Sequence, residues 1–527
     1  MTLGILILYI GIAAVILTAI VGFGFKKIEN WGISFLQNFA GALFIFSGWV
    51  KAVDPLGTAY KMEQYFAEFE ATFDATAMSF IAPIFPWLNN YVNGFSVFMI
   101  VLEIILGIML LVGSNRKLTS WAFFGIVAFF TFLTGFTFLT GYVPQEDVVI
   151  MQQDSQRQKV LYSSTANMQD EGWVPLDTIE TNFFKFGSWM AYDENNMRVT
   201  DCGCFGDFIK LEPKTSFLKD IFLLIPALIF LFGTKKMHQL FKGSTRTAIV
   251  LATTVGTLVY CFSNYVWDIP HADFRPFREG VNIYAQKQAE FEADQNREIL
   301  FQLKDLENDK VIEIPYEQYV PNLAEYGNED KYEFMDQIAG DPAIPQTKIS
   351  DFGATDFEGN EIGDDLLQTE GYAFMLVAYK LYPEINRNTI TVKDTSYVRD
   401  SMLVADTMQY MMKIAGIEDK QITQESYKWK PDYLAKWTEK VNPVMDAAQK
   451  EGVKVFALTQ FGTEAMIEDF RHETQSAYPF YLADDILLKT IVRSNPGVVL
   501  MKDGTVLKKW HYRKMPSFDE IKAAHIQ

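Results

Sequence analysis

Cys202 and Cys204, two of the three cysteines in a chain of 527 residues, stand one residue apart in Thr200-Asp-Cys-Gly-Cys-Phe-Gly-Asp207. The intervening Gly203 lets the backbone bend sharply, which can bring the two Cα atoms within the roughly 4.4 to 6.8 Å that a disulfide requires. A ring so small is strained, and strain raises the reduction potential, which suits a disulfide that is handed on. A structural disulfide or turn, and a pair of inert thiols, are the competing readings. Asp201 and Asp207 flank the pair, and nearby negative charge raises a thiol pKa and thins its thiolate. Lys210 and Lys214 offset this only if the fold returns them. Two thiolates with no histidine nearby leave a zinc site about two ligands short, so no metal is expected.

The third cysteine, Cys261, lies near the end of a later apolar run. It is the candidate resolving thiol for a mixed disulfide with Cys202 or Cys204, although a lone cysteine in an apolar helix is more often a small packing residue. Glu103 sits within another apolar run, about 12 Å along a helix from Phe95 at about 1.5 Å per residue. A carboxyl at that depth is costly and marks a functional site by default: a proton path, a quinone pocket or a partner contact. Its plainer role is to fix helix packing through Ser47 or Gln37. Lys51 and Asp54 read as a local ion pair.

Such groups need a membrane to position them. Six segments approach the roughly 20 apolar residues that cross a bilayer core: Leu3 to Phe25, Ile33 to Ala52, Phe95 to Gly113, Trp121 to Tyr142, Phe217 to Gly233 and Ala248 to Val266. Lys26 with Lys27, Arg116 with Lys117, and the group Lys235, Lys236, Lys242 and Arg246 fall in alternate connections. Basic residues near span ends stay on the cytoplasmic side. The alternation therefore predicts a multi-pass protein of the inner (cytoplasmic) membrane, with both termini, residues 143–216 and everything after Trp267 on the periplasmic side. The first run lacks a preceding basic residue and exceeds the roughly 7 to 15 apolar residues of a signal peptide, so it reads as a retained anchor. A net charge of −19 without a basic cluster argues against nucleic acid as a partner. The lipid bilayer and a protein partner of the outer domain are the expected contacts.

Between the second and third spans, Ala59 to Phe73 interleaves Tyr60, Phe66, Phe69 and Phe73 with charged residues, the composition of an interfacial helix. Residues 267–344 open on a proline-rich turn and read as a tether. From residue 345 the pattern becomes α/β. Tyr372 to Tyr379 and Val453 to Thr459 are strands, Lys430 to Glu451 and Glu464 to His472 helices. Asp503-Gly504 between two apolar runs then predicts a hairpin, because a type I′ turn needs positive φ at both central residues. A helix from Ser517 closes the chain.

Two resemblances rest on these residues. Phe44-Ile-Phe-Ser-Gly-Trp-Val-Lys-Ala-Val-Asp-Pro55 and Cys202-Gly-Cys-Phe-Gly-Asp207, each beside a span, make residues 33–233 similar to the DoxX/MauE group of four-helix membrane proteins. The part from Gln346 resembles a membrane-tethered thioredoxin-like domain in its order of strands and helices, with Asn495-Pro-Gly497 preceding the final hairpin. That resemblance implies a cis-proline at Pro496. No CxxC follows the Tyr372 strand, where Leu381-Tyr-Pro-Glu384 stands instead, and without a thiolate the domain performs no disulfide exchange itself. The whole is similar to DoxX-family fusions of Bacteroidetes-type bacteria.

The expected fold is therefore a multi-span helical membrane bundle plus an extracytoplasmic α/β thioredoxin-like domain. Residues 1–32 form an anchor, 33–233 the four-helix module, 234–266 a sixth span, 267–344 a tether and 345–527 the outer domain. The resemblance implies envelope thiol–disulfide or quinone-linked redox chemistry, with Cys202 and Cys204 cycling and Glu103 managing a proton. No cofactor other than a quinone suggests itself. The alternative is a non-catalytic membrane scaffold or assembly factor whose outer domain binds a partner.

Overall fold

Long apolar runs must satisfy their backbone internally once water is excluded, and helices do so. The computed structural model describes residues 2–74, 78–142, 147–154, 157–163, 172–175, 199, 203–308, 310–328, 330–404 and 407–526. Among these residues, six helices are long and apolar enough to cross a membrane. The chain divides into two units, Met1–Arg275 and Pro276–Gln527.

In the first unit, α1 (Leu3–Ala19) is followed by α2 (Trp31–Val53), α3 (Pro55–Asp74) and the short α4 (Ile84–Asn89). Next come α5 (Val92–Val112), α6 (Arg116–Leu139), α7 (Pro213–Phe232) and α8 (Gly243–Phe262). A small antiparallel sheet of β1 (Asp147–Asp154), β2 (Arg157–Ser163) and β3 (Gly172–Pro175) lies between α6 and α7 in sequence. The spans match the six apolar runs to within a few residues.

The α2 and α5 helices run antiparallel and in very close contact. A methyl group on Gly41 would sit 2.9 Å from the Gly107 carbonyl oxygen, and one on Gly107 would sit 2.8 Å from that of Gly41. Small residues allow this approach, which is how helices gain packing in lipid. At one end of the pair, the Gln37 amide donates to the carbonyls of Leu110 (2.6 Å) and His238 (3.2 Å) and accepts from the His238 backbone N–H. This ties α2, α5 and the α7–α8 connection together.

The stretch expected to be interfacial is the helix α3, and its apolar face is buried in the unit. Met62, Tyr65, Phe66 and Phe69 are enclosed, and the Tyr65 hydroxyl shares a 2.7 Å hydrogen bond with Thr137 of α6.

The second unit begins before the residues read as its start. Residues expected to be a tether form α9 (Ile283–Gln295) and an antiparallel sheet in which β4 (Ile299–Asp305) lies between β5 (Lys310–Pro315) and β6 (Tyr332–Ala339). The short α10 (Tyr316–Tyr319) and α11 (Leu323–Tyr326) follow β5. The fold of this region leaves little trace in its sequence because its composition is polar and its buried residues include a charged one: Glu290 of α9 is fully buried, and it accepts from the Thr347 N–H and hydroxyl at 2.9 and 2.8 Å. Asn282 both caps α9 and donates to the Asp503 carbonyl at 2.8 Å, fastening the helix to the final hairpin.

After α12 (Gly363–Leu367) come β7 (Tyr372–Ala378), the very long β8 (Glu384–Val404) and β9 (Thr407–Lys428), and α13 (Pro431–Ala435). The chain continues through α14 (Asn442–Lys450), β10 (Lys454–Thr459), α15 (Glu464–Thr474), β11 (Phe480–Leu482) and α16 (Asp485–Ile491). It ends with β12 (Gly497–Lys502), β13 (Thr505–His511) and α17 (Phe518–His525). The five-stranded sheet has the order β11-β10-β7-β12-β13; β7, β10 and β11 are parallel, and β12 and β13 each antiparallel to their preceding neighbour.

Asp503 and Gly504 take φ of +48° and +76°, as the predicted turn requires. Ser517 and Glu520 form a reciprocal capping box at α17, the exchange that satisfies two orphan donors at a helix start. Between β7 and α13, strands of 21 and 22 residues pair, among the described residues, only with each other. At about 3.4 Å per residue this hairpin reaches roughly 70 Å.

Candidate functional site

Gly203 has φ of +59°, a left-handed conformation that costs glycine nothing. Two successive turns follow, from the Gly206 N–H to the Gly203 carbonyl and from the Phe208 N–H to the Phe205 carbonyl, both at 3.2 Å. They fold the loop tightly and drive Phe205 and Ile209 into the helical core, where both are buried. Cys204 is partly buried, and its carbonyl accepts a 3.1 Å hydrogen bond from the Ser47 hydroxyl of α2. Cys202 lies outside the described residues.

Ser47 also accepts from the Lys51 ammonium at 3.3 Å, one helical turn on. Lys51 in turn reaches across to α5 and pairs with Glu103 at 2.7 Å, with side chains only 8% and 3% exposed. This corrects two expectations. Glu103 does not bond Ser47 or Gln37, and Lys51 does not pair with Asp54, whose carboxylate accepts the Gly57 N–H at the start of α3. The physical reason is depth: the end of α2 is enclosed by α3 and the loop at Gly203 and Cys204, so Lys51 is cut off from water and pairs with a carboxylate inside the bundle. Phe130 of α6 lies 4.8 Å beneath the same ammonium.

A second buried pair joins Lys219 and Asp220 at the start of α7, and Asp220 also accepts from the Thr134 hydroxyl of α6 at 3.0 Å. Both pairs, Ser47 and Cys204 line one cavity of about 60 Å³. Removing four charges from water carries a desolvation penalty of several kcal/mol per ion, and the bundle offsets it by pairing them and by hydrogen bonds to Ser47 and from Thr134. Against the cavity lies an apolar groove of about 610 Å³ between α1, α2 and α7, lined by Leu36, Phe39 and Phe222 among others, which shares Leu43, Lys219 and Leu223 with it.

The structure thus brings Cys204 and Glu103, distant in sequence, to one cavity. Cys261 is not part of that lining. It is fully enclosed on α8 among Ala52, Val97, Ile100, Val101 and Ile104, where it fills space as a small apolar side chain. Pro496 belongs to the second unit, where the Asn495–Pro496 peptide is cis.

Sequence reasoning missed the partnership of Lys51 with Glu103 and the role of Lys219 and Asp220. The signal was present: each charge interrupts or closes an apolar run, and charges inside a membrane segment seek one another.

Residues 29–144 match the family model described as methylamine utilisation protein MauE. The match takes in α2 to α6, with Ser47, Lys51 and Glu103, and stops before the Cys-Gly-Cys loop and α7, so it is shorter than the expected module of residues 33–233. Neither the curated proteins nor the solved structures yielded a match.

Proposed function

We propose that this MauE-like membrane protein serves in envelope thiol–disulfide or quinone-linked redox chemistry, with Cys202 and Cys204 as its electron-carrying pair. The carrying observation is the meeting of Cys204 with the Lys51–Glu103 and Lys219–Asp220 pairs at one buried cavity. Joining two thiols in a disulfide forms one S–S bond and releases two protons with two electrons. Glu103 and Asp220, each paired with a lysine, can pass those protons on as a relay, the carboxylate taking a proton as its lysine gives one up, so that neither partner is left as an isolated charge in the bundle.

A quinone, when bound, accepts two electrons and two protons. The cavity, at about 60 Å³, is far below the roughly 300 to 1,000 Å³ of small-molecule sites. The adjoining groove, at about 610 Å³, is within that range and apolar enough for a lipid-soluble molecule. Leu36, Phe39 and Phe222 would hold such a group, and Lys219 stands on the boundary between groove and cavity.

In this reading the protein spans the inner membrane, and the pattern of basic connections supports a periplasmic second unit. The sheet order supports a thioredoxin-like relationship for that unit. It contains no cysteine, which favours a second reading in which the unit holds a partner while the membrane part performs, or merely frames, the chemistry.

Alkylation in native membranes before and after mild reduction, followed by mass analysis of the peptide carrying Cys202 and Cys204, tests the redox reading. A redox pair shifts by two labels between the states. Identical labelling in both, with no phenotype from replacement of both cysteines by serine, would overturn it.

A further inference from the structure

The connection between α3 and α5 is apolar on both of its sides. Its inner side belongs to the bundle: Ala82 is buried, and the Phe85 ring meets those of Phe66 (6.4 Å), Phe69 (5.5 Å) and Phe73 (5.6 Å, stacked) along α3. Its outer side is not covered by the chain. Phe80, Ile84, Trp87 and Tyr91 are 76%, 49%, 59% and 61% exposed, and they recur at the three- and four-residue intervals that gather side chains on one helical face.

The segment is too short to cross a membrane. Pro83 and Pro86 divide it into a 3₁₀ turn at Ser79–Ile81 and the six residues of α4, because proline cannot continue a helix that precedes it. At about 1.5 Å per residue α4 is roughly 9 Å long, against the roughly 30 Å of a bilayer core.

We propose that residues 78–91 are an interfacial anchor, lying at the boundary between headgroups and acyl chains with Phe80, Ile84, Trp87 and Tyr91 in lipid. Three observations choose lipid over a protein partner. No charged residue stands between Asp74 and Glu103 in a chain that is 21% charged, whereas a connection bathed in water carries charges to keep it soluble. The exposed face also runs on into a span: Trp87 meets Tyr91 at 5.4 Å, Tyr91 is the N-cap of α5, and Phe98, two turns beyond Tyr91, is exposed on α5. Lastly, tryptophan and tyrosine are the ring types that collect at headgroup level, and the polar Asn89 and Asn90 are exposed beside them.

The interfacial role expected of α3 thus passes to α4. Because Phe85 packs on α3, and α3 contributes Thr58, Lys61, Met62 and Tyr65 to the lining of the buried cavity, the anchor seats one wall of that cavity against the bilayer surface. Lacking charge, it takes zwitterionic and anionic lipid alike.

The test uses the full chain, one copy per nanodisc, in phosphatidylcholine with and without phosphatidylglycerol. The emission lost in Trp87→Phe is the Trp87 signal. Bromines near the glycerol end of the acyl chains quench it more strongly than bromines near the methyl end. A membrane-impermeant maleimide reacts at Ile84→Cys about tenfold or more slowly than at Glu70→Cys, an exposed position on α3, the partition that burying one aliphatic side chain in lipid commands; peptide mass analysis separates these sites from the native cysteines. Both substitutions on the anchor lie on its exposed face, so the melting temperature stays at the wild-type value. The proposal is overturned if neither brominated lipid quenches Trp87, if the methyl-end bromines quench it more, or if Ile84→Cys reacts as fast as Glu70→Cys. It is also overturned if protection of Ile84→Cys needs phosphatidylglycerol, or needs discs that hold two copies, which would make the cover a second chain.

Discussion

At the scale of single residues, the Lys51–Glu103 pair joins α2 to α5 through two buried charges. Lys51→Met leaves Glu103 buried without its counter-charge, and such half-broken pairs cost about 3 to 5 kcal/mol. The double change Lys51→Met/Glu103→Leu removes both charges, and similar replacements are often neutral or stabilising. The single variant is therefore expected to melt well below the wild type in detergent while the double variant recovers most of the loss, yet both lose thiol turnover. A double variant as unstable as the single one would show that the pair is not the coupled unit described. Glu103 was legible from sequence as an expensive group, because one carboxyl among apolar neighbours has few innocent explanations. Its partner was not: Lys51 sits near a span end, where sequence alone suggests water, and only the loop and α3 folding over it take that water away. The same holds for Cys204, whose type and spacing could be read but whose clamp by Ser47 depends on two turns that bring residues from opposite parts of the unit together.

At the scale of elements, the register between α2 and α5 sets the distance between Lys51 and Glu103. That register rests on the Gly41 and Gly107 contact, where no side chain fits without moving a backbone. Gly107→Leu forces the helices apart, and overpacking of this kind costs about 1 to 3 kcal/mol. The expected outcome is a lower melting temperature together with reduced cross-linking between cysteines introduced at positions 48 and 104. Unchanged cross-linking would mean that the helices are held by other contacts. Spans, the Asp503-Gly504 turn and the α17 cap were all readable, because each follows from composition or from a local conformational demand. The hairpin of β8 and β9 was not, since among the described side chains its strands carry no buried face to announce them. The helix α9 went unread for a related reason: its key buried residue is a glutamate, satisfied by Thr347 far along the chain.

At the scale of the whole molecule, the number of spans and the α/β character of the second half follow from sequence, while the extent of the second unit does not. Pro276, not residue 345, begins it, because α9 and Asn282 are fastened to the β12–β13 turn by contacts that no local pattern foretells. Sidedness governs everything proposed for the thiols. A cysteine-tagged extension after Gln527 is expected to react with a membrane-impermeant maleimide on intact spheroplasts, and labelling only after lysis would place the second unit in the cytosol. The long hairpin has its own corollary. Glu384 and Lys428 face each other as the first rung, joined by a 3.4 Å ion pair, so the chain departs and comes back through a doorway only two strands wide. To β7 and α13 the whole excursion is equivalent to a short loop, and evolution could lengthen or trim it rung by rung without disturbing the architecture behind the doorway.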